Sequence, residues 1–360
     1  MISYKKLIRI LWKFYNYLLT IFIKKNNDNH LDFKVYYGGA RKGELGGPLV
    51  KVSRLKEFFP EFRHKIDLVY CLSNAPYLSE KSLHSIKKKN IPIVLNQNGV
   101  FSLGWYGPGW ENQNNKLKPA YLTSDFVFWQ SKFCQYSAEK FLGKRQGPGE
   151  ILYNAVDISK FRPLSRSSKS NFTFLVSGKL TSSLFYRIEA AVKAISILQK
   201  KEKDIELVLA GISDKLVASM TNSLISDLGI KDRVKIIGKY TQAEAPQIYN
   251  NSDAYVMLKY MDASPNVVIE AMACGLPIIY SDTGGVQELV GKDAGIGINM
   301  EQNWSMVPKA PDPEKVSAAM YEVMSSHAKL STAARSRAVE NFNLENWIDK
   351  HRAVFGRYVN

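Results

Sequence analysis

The segment AYVMLKYMDASPNVVIEAMACGLPIIYS, residues 254–281, predicts a strand, a helix and a second strand in direct succession. AYVMLK and LPIIYS are short apolar runs of the kind found in buried parallel strands. Ser264 suits the N-cap of the intervening helix, Pro265 suits its first position, and Gly275 favours its end. The pattern therefore predicts a helix over 265–274 that begins directly after a strand.

The first turn of this predicted helix is suited to binding an anion, because its N–H groups lack intrahelical partners and the helix dipole is positive there. Glu270 lies about one and a half turns into the helix, and helical side chains lean toward the N-terminus. Its carboxylate can therefore reach the mouth of the same site. Asp262 lies on the loop that leaves the strand. Two carboxylates beside a phosphate site favour the binding of sugar hydroxyls.

Short apolar runs and amphipathic stretches alternate along most of the chain. Predicted strands include FKVYYGG, DLVYCLS, IPIVLNQ and DFVFWQS in the first half, and FTFLVSG, IELVLAG and VKIIG in the second. This alternation predicts an α/β protein with doubly wound parallel sheets. The stretch 99–115, rich in glycine, aromatic residues and asparagine, is predicted to be a long functional loop.

The polar stretch PLSRSSKSN, residues 163–171, is the best candidate for an interdomain linker. The sequence then divides into four parts: a basic N-terminal helix and linker (1–30), a first Rossmann-like domain (31–165), a second Rossmann-like domain (166–344) and a closing C-terminal helix (345–360).

The composition is that of an ordinary globular chain, with 360 residues, 45% hydrophobic and 23% charged. This length suffices for two domains, and the composition excludes a disordered chain. No apolar stretch reaches the ~18 residues that a membrane-spanning helix needs. The first 165 residues hold 26 of the 49 basic residues but only 12 of the 33 acidic ones, which indicates an anionic partner.

The cysteines and histidines show no metal-binding spacing, and no metal site is expected. The three cysteines are odd in number and far apart, which suits a reducing cytoplasm and predicts no disulfide framework. The histidines stand in polar contexts and are predicted to lie at the surface. These residues are Cys71, Cys134, Cys274, His30, His64, His84, His327 and His351.

In combination, these motifs resemble the retaining, nucleotide-sugar-dependent glycosyltransferases of family four, also called group 1 glycosyltransferases. Asp262 is followed by seven residues and then Glu270, which opens EAMACGLP, and SDTGGVQE comes next. NAVDISKFRPL, VSGKL and GGPLVKVSRL extend the resemblance over about residues 33–345. It implies the GT-B fold, in which two facing Rossmann-like domains border an inter-domain cleft.

The resemblance also implies roles for individual residues. Glu270 would hold the ribose hydroxyls, Asp262 the donor-sugar hydroxyls, and Lys179 and Arg187 the diphosphate. The family usually has Glu where Asp262 stands, and its basic pair is an Arg followed by a Lys at a shorter spacing. Phosphate contacts are further expected from a set of residues with accessible backbone: Gly46, Gly47, Gly178, Asn266 and Val267.

The activity implied by the resemblance is metal-independent transfer of a sugar, with a nucleoside-diphosphate sugar as donor substrate and no cofactor. The acceptor would be a sugar or a lipid-linked precursor, in cell-envelope or extracellular polysaccharide or glycolipid synthesis. No Asp-x-Asp pair occurs, in agreement with metal independence. A nucleotide-sugar epimerase of the same architecture and a catalytically silent carbohydrate-binding relative are the alternatives. A nucleic-acid partner is not expected, because no reading motif is present.

The N-terminal residues form a distinct pattern. One narrow polar stripe of a helix is predicted, and the other positions are mostly apolar or aromatic; the stripe is formed by Lys5, Arg9, Lys13, Asn16, Thr20 and Lys24. The ten uncharged residues between Lys13 and Lys24 are too few to cross a bilayer. The pattern predicts an in-plane helix over 3–25 that holds a cytoplasmic enzyme on an anionic inner membrane surface. The alternative is that its apolar face packs on the protein body or on a second subunit.

Overall fold

The computed structural model describes residues 4–28, 32–40, 47–165, 171–212 and 214–358. The chain divides into two units, one formed by 1–153 with 345–360 and the other by 154–344. The boundary thus precedes the predicted linker 163–171, and the C-terminal helix belongs to the first unit rather than standing apart.

The first unit is built on a five-stranded parallel sheet with the strand order β2-β4-β5-β6-β7, and a small parallel pair, β1-β3, lies outside it. Its central strands are buried along their full length, as expected for strands covered by helices on both faces. The elements are α1 Tyr4–Phe22, β1 Lys24–Lys25, β2 Val35–Tyr36, α2 Gly47–Phe58, β3 Lys65–Ile66, β4 Leu68–Leu72, α3 Glu80–Lys88, β5 Ile93–Gln97, α4 Leu103–Tyr106, α5 Trp110–Thr123, β6 Phe126–Trp129, α6 Lys132–Leu142 and β7 Gly149–Ile151.

The second unit is built on a six-stranded parallel sheet with the order β10-β9-β8-β11-β12-β13. Valine, isoleucine and leucine from its central strands pack against α7 and α12 to form the core. The elements are β8 Phe172–Leu180, α7 Phe185–Leu198, β9 Ile205–Ile212, α8 Lys215–Asp227, β10 Val234–Ile237, α9 Ala245–Asn250, β11 Ala254–Met257, α10 Asn266–Ala273, β12 Ile278–Asp282, α11 Val286–Val290, β13 Gly295–Asn299, α12 Pro313–Ser325, α13 His327–Phe342 and α14 Leu344–Gly356, whose residues from 345 onward belong to the first unit.

The segment before the predicted linker packs on the second unit, which explains the early boundary. Phe161 is buried, and its carbonyl accepts a hydrogen bond from Arg335 Nη1 at 3.0 Å. The same guanidinium donates to the carbonyls of Ala273 at 2.7 Å and Ile158 at 3.3 Å. Polar composition marked 163–171 as a linker, but this fork of hydrogen bonds fixes the preceding residues to one unit.

The predicted loop over 99–115 is wrong in part, because the chain there forms α4 and the start of α5. Gly107 and Gly109 separate the two helices, and both have positive φ, at 86° and 85°. Two glycines in this conformation allow a short α4 and a new helix start within a few residues. Trp105, whose indole N–H donates to the Val100 carbonyl, is exposed.

Helix α14 joins the first unit through a buried histidine. His351 is fully buried, so its predicted surface location is wrong; it lies on the apolar face of α14 beside Phe355. His351 Nδ1 is 2.8 Å from the Trp347 carbonyl, which can only accept, so that nitrogen carries the proton. Nε2 then accepts from the Tyr70 hydroxyl at 2.8 Å. Burial lowers the pKa of His351 to about 3.

We predict that His351→Gln removes part of the acid sensitivity of folding. The pKa of His351 is lower in the folded protein than in the unfolded chain, so its contribution to stability is lost as pH falls from about 6.5 toward 3, at up to ~1.4 kcal/mol per pH unit. Glutamine keeps a donor and an acceptor but does not titrate. Urea unfolding at several pH values between 7 and 4 measures the slope, and equal slopes for both proteins would contradict the assignment.

None of the described helices is both long enough and apolar enough to cross a membrane.

Candidate functional site

The strand order of the second unit creates a topological switch point between β8 and β11. The chain proceeds outward from β8 through β9 to β10, then returns to the other side of β8 with β11. Segments that leave the carboxyl ends of two such strands diverge and leave a crevice, where ligands of open α/β sheets bind. The predicted site residues of this unit lie on these two segments: Gly178, Lys179 and Arg187 on one, and Asp262, Asn266, Val267 and Glu270 on the other.

A bulge shapes the end of β8. Ser177 pairs with Ala210 and Leu180 pairs with Ile212, so that Gly178 and Lys179 lie opposite the single residue Gly211. Gly178 and Gly211 both have a φ of +105°, and a Cβ on Gly211 would lie 2.0 Å from the Gly178 carbonyl oxygen. Only glycine fits there. Bulges redirect side chains, and the side chain of Lys179, one of the two bulged residues, is exposed.

Arg187 lies in the first turn of α7, the helix that follows β8. The residue is only 4% exposed. Its hydrogen bond from Nη2 reaches the thioether sulfur of Met257 at 3.9 Å, and its Nε has no partner among the described residues. A guanidinium has five donors, and a buried cation without matching acceptors is costly. An anion at the switch point would satisfy these donors.

Helix α10 presents its N-terminus at the same place. Its N-cap is Pro265 and its first residue is Asn266, so the predicted cap at Ser264 is wrong by one position. Ser264 is held outside the helix, because its N–H donates to Asp262 Oδ1 at 3.2 Å and its carbonyl accepts from Asn154 Nδ2 at 3.1 Å.

The first turn of α10 lies next to the β8 bulge. A Cβ on Gly178 would lie 3.7 Å from Val267 Cγ1. No side chain caps the helix, and Asn266 Oδ1 is buried without a hydrogen-bond partner in the described ranges. The structure therefore brings Gly178, Asn266 and Val267 together as the sequence predicted, with open N–H groups in the helix turn.

Glu270 is a buried carboxylate with fixed orientation. It is 5% exposed, its Oε1 accepts from Gln242 Nε2 at 2.9 Å, and its Oε2 accepts from the Tyr249 hydroxyl at 3.1 Å. Burial raises the pKa of Tyr249, and the charge of Glu270 raises it further, so this hydroxyl keeps its proton and remains a donor. Gln242 and Tyr249 were not predicted, because nothing in the local sequence pattern links them to Glu270.

Asp262 is paired with a lysine that sequence reasoning missed. Lys259 Nζ lies 2.6 Å from Asp262 Oδ2, and the aspartate side chain is only 15% exposed. The spacing of three residues at the end of β11 is the one signal that could have indicated this pair. Between them, Met261 adopts a φ of +50°, which is unusual for a residue with a side chain.

The Gly-Gly pair of SDTGG packs against the backbone of this loop. Gly285 N–H donates to the Asp262 carbonyl at 2.8 Å. Gly284 has a φ of +77°, and a Cβ there would lie 2.5 Å from that carbonyl oxygen. Thr283 Oγ1 accepts from the Met261 N–H at 3.0 Å. The motif therefore fixes the path of the Asp262 loop, which is a structural reason for its glycines.

The remaining predicted site residues belong to the first unit. Gly46 lies outside the described residues, and Gly47 is the first residue of α2. Their phosphate contacts stay predictions. Within the described ranges, no group of three or more histidine, cysteine or acidic side chains could hold a metal ion.

Comparison with known proteins identifies the family. The model of the family described as glycosyl transferases group 1 matches residues 157–338, just over half of the chain. This protein is a group 1 glycosyltransferase family member. That assignment confirms the resemblance found in the sequence, and the match spans every site residue of the second unit.

Curated relatives match this group 1 glycosyltransferase over part of its length. A D-inositol 3-phosphate glycosyltransferase of Arthrobacter is 25% identical over 220 residues, covering 54% of this chain and 49% of the relative. An N-acetyl-alpha-D-glucosaminyl L-malate synthase of Bacillus anthracis is 24% identical over 170 residues, covering 47% and 42%. The chain thus spans about half the length of these relatives.

Solved structures share the fold. A glycosyltransferase from Rickettsia africae has a TM-score of 0.68 at 16% identity, with 88% of this chain and 89% of that chain covered. Anabaena HepE, solved in complex with UDP, has a TM-score of 0.67 at 16% identity, with 86% and 82% covered. These similarities confirm the predicted α/β fold of the GT-B class.

We predict that Arg187→Met raises the free energy of unfolding of the ligand-free protein by about 1 kcal/mol, because it replaces an under-satisfied buried cation with an apolar side chain. Lys179→Met is the matched control: Lys179 is exposed, and its replacement should change stability by less than ~0.5 kcal/mol. Urea unfolding measures both. A loss of stability in Arg187→Met would show that the guanidinium is well satisfied without ligand.

Proposed function

We propose that the protein transfers a sugar from a nucleoside-diphosphate sugar to an acceptor hydroxyl, with retention of the anomeric configuration. The observation that carries the proposal is that the open α10 N-terminus, the under-satisfied Arg187 and two carboxylates all lie on the two segments that leave one switch point. Relatives named as glycosyltransferases and a similar fold solved with UDP support it.

The diphosphate of the donor is assigned to the basic part of this site. Arg187 and Lys179 supply positive charge, and the first-turn amides of α10 at Asn266 and Val267 supply N–H donors. Gly178 lets the backbone approach the oxygens without a Cβ in the way. Transfer breaks the bond between the sugar and a β-phosphate oxygen, and that oxygen becomes a negatively charged terminal oxygen of the released nucleoside diphosphate. Fixed donors aimed at that oxygen stabilise the leaving group in this proposal.

The two carboxylates are assigned to hydroxyl groups of the donor. Glu270 would accept from the ribose, because its orientation is fixed by Gln242 and Tyr249 before any ligand binds. Asp262 would accept from the sugar hydroxyls, and Lys259 holds one of its oxygens. Aspartate is one methylene shorter than the glutamate common in the family, and Lys259 offers a fixed position for the shorter side chain.

The acceptor is proposed to be a sugar or lipid-linked precursor in cell-envelope or extracellular polysaccharide or glycolipid synthesis, used on the cytoplasmic side of the membrane. The family resemblance and the basic first part of the sequence support this assignment. The donor nucleotide is the more direct target for a test, because its proposed ligands lie within the described second unit.

We expect at least one of UDP, GDP and ADP to bind the purified protein, with the diphosphate at Arg187 and the α10 N-terminus. Isothermal titration calorimetry with each nucleotide, at concentrations up to millimolar, is the direct test. Absence of binding by all three would overturn the proposal. If incubation with the corresponding nucleotide sugar yields an epimerised nucleotide sugar without transfer, the epimerase is favoured.

Glu270→Ala should weaken nucleotide binding by roughly 10- to 100-fold, because a charge-assisted hydrogen bond contributes ~1.5–3 kcal/mol. Asp262→Asn should lower turnover by a similar factor and leave nucleotide affinity nearly unchanged, because Asp262 faces the sugar in this proposal. Asp227→Asn, at the exposed end of α8, is the control for loss of a surface carboxylate. Calorimetry and turnover together separate the roles, and the reverse pattern for Glu270 and Asp262 would contradict them.

A further inference from the structure

Helix α1 contacts the first unit through Asn16 and Thr20 of its predicted polar stripe and through Trp12. Asn16 and Thr20 are only 1% and 0% exposed. Asn16 Oδ1 accepts from the Tyr36 hydroxyl at 2.5 Å, and the Trp12 indole N–H donates to the Gly39 carbonyl at 3.0 Å. A helix in a water-soluble body normally buries its apolar side instead. In α1, the two buried side chains among those described are instead polar.

The end of α1 is held by helix α3. Lys89 Nζ donates to the carbonyls of Thr20, Ile21 and Ile23 at 2.8, 2.7 and 2.7 Å. These carbonyls lie at the helix C-terminus, where unpaired acceptors and the negative end of the dipole favour a cation. Ser85 Oγ adds a hydrogen bond to the Thr20 carbonyl. The rotation of α1 about its axis is therefore fixed by polar contacts.

The opposite side of α1 is an exposed apolar surface in the described structure. Phe22 is 67% exposed, and Leu11 and Phe14 are each 58% exposed. Their spacing places them on one side of the helix, away from Asn16 and Thr20. We call this surface the α1 apolar face; it consists of Ile8, Ile10, Leu11, Phe14, Tyr15, Leu18, Ile21 and Phe22.

Basic side chains border this face. Arg63 Nη1 donates to the Tyr15 hydroxyl at 3.5 Å, and the guanidinium also pairs with Glu61 at 3.2 Å. Strand β1 follows α1 directly and pairs with β3, which brings Lys24 beside Lys65. Both lysines are exposed, and Lys65 pairs with Asp28 at 3.5 Å. Residues 1–30 contain six basic residues and one acidic residue.

We propose that the α1 apolar face inserts into the headgroup region of an anionic lipid bilayer, with the first unit on its water side. Exposed aromatic and aliphatic side chains flanked by lysine and arginine are the features of helices that lie in a membrane interface. Each basic group near an anionic surface adds attraction. This inference is independent of the proposed transfer reaction.

The charge of the border argues against a second copy of this chain as the occupant. In a twofold dimer, the same surface of each subunit meets its equivalent, so basic borders would face each other. Like charges brought together at an interface oppose association. An anionic bilayer presents the opposite charge to the same border.

The test uses full-length protein and two double variants of matched design. Phe14→Glu with Leu18→Glu changes two exposed residues one turn apart on the α1 apolar face. Leu216→Glu with Met220→Glu makes the same change on α8 of the second unit, where these side chains are 59% and 38% exposed. Flotation with phosphatidylcholine vesicles, with and without phosphatidylglycerol, measures binding.

Wild-type protein and the α8 variant should bind the vesicles that contain phosphatidylglycerol, and added salt should weaken that binding. The α1 variant should bind them at least ~10-fold less, with an unchanged melting temperature, because the altered side chains are exposed. If it unfolds, Leu11→Gln with Phe22→Gln provides a milder change to the same face and should show the same loss.

Three results would overturn the inference: no binding of wild-type protein to the anionic vesicles, equal binding by the α1 variants, or vesicle binding lost equally in the α8 variant. A wild-type dimer that the α1 variant converts to monomer, with no vesicle binding, would assign the face to self-association. Calorimetry with UDP, GDP and ADP on the same preparations tests the proposed function separately, so either idea can fail alone.

Discussion

Parallel pairing of β8 with β11 is the constraint on which the candidate site depends. Ala254 pairs with Phe174 and Tyr255 with Leu175, which places the carboxyl ends of two strands distant in sequence side by side. Neighbouring parallel strands whose connections leave in opposite directions open a crevice at that edge. The bulge at Gly178 and the N-terminus of α10 can meet only because of this pairing.

The site combines polar groups that have hydrogen-bond partners and polar groups whose donors lack them in the described structure. Glu270 and Asp262 have partners that orient them in the ligand-free protein, whereas Arg187 is buried beside a thioether and the α10 amides lack a cap. A buried cation without acceptors lowers the free energy of unfolding. Binding of a ligand anion supplies the missing acceptors and so recovers that free energy. The uneven distribution of hydrogen bonds therefore distinguishes a binding site from a structural polar network.

Sequence reasoning predicted those features that depend on local patterns. The apolar runs identified β11 and β12, the helix between them was placed to within one residue at each end, and the motif order identified the family. Lys259 with Asp262, and Tyr249 with Glu270, were missed, because side-chain pairing depends on tertiary geometry. The boundary at 153 was also missed, since Arg335 fixes a segment that its composition alone does not distinguish from a linker.

Helix α1 shows why amphipathic periodicity alone does not determine which side of a helix faces the protein. The repeat in the sequence defines a polar stripe and an apolar face, but it is equally compatible with either side against the protein. The decision depends on groups elsewhere in the chain: Tyr36 and Gly39 accommodate Asn16 and Trp12, and Lys89 fixes the helix end. Gly39 is required there, since a Cβ would lie 2.4 Å from Asn16 Oδ1. A body shaped to receive the polar side leaves Leu11, Phe14 and Phe22 more than half exposed, so these side chains are available to another apolar phase.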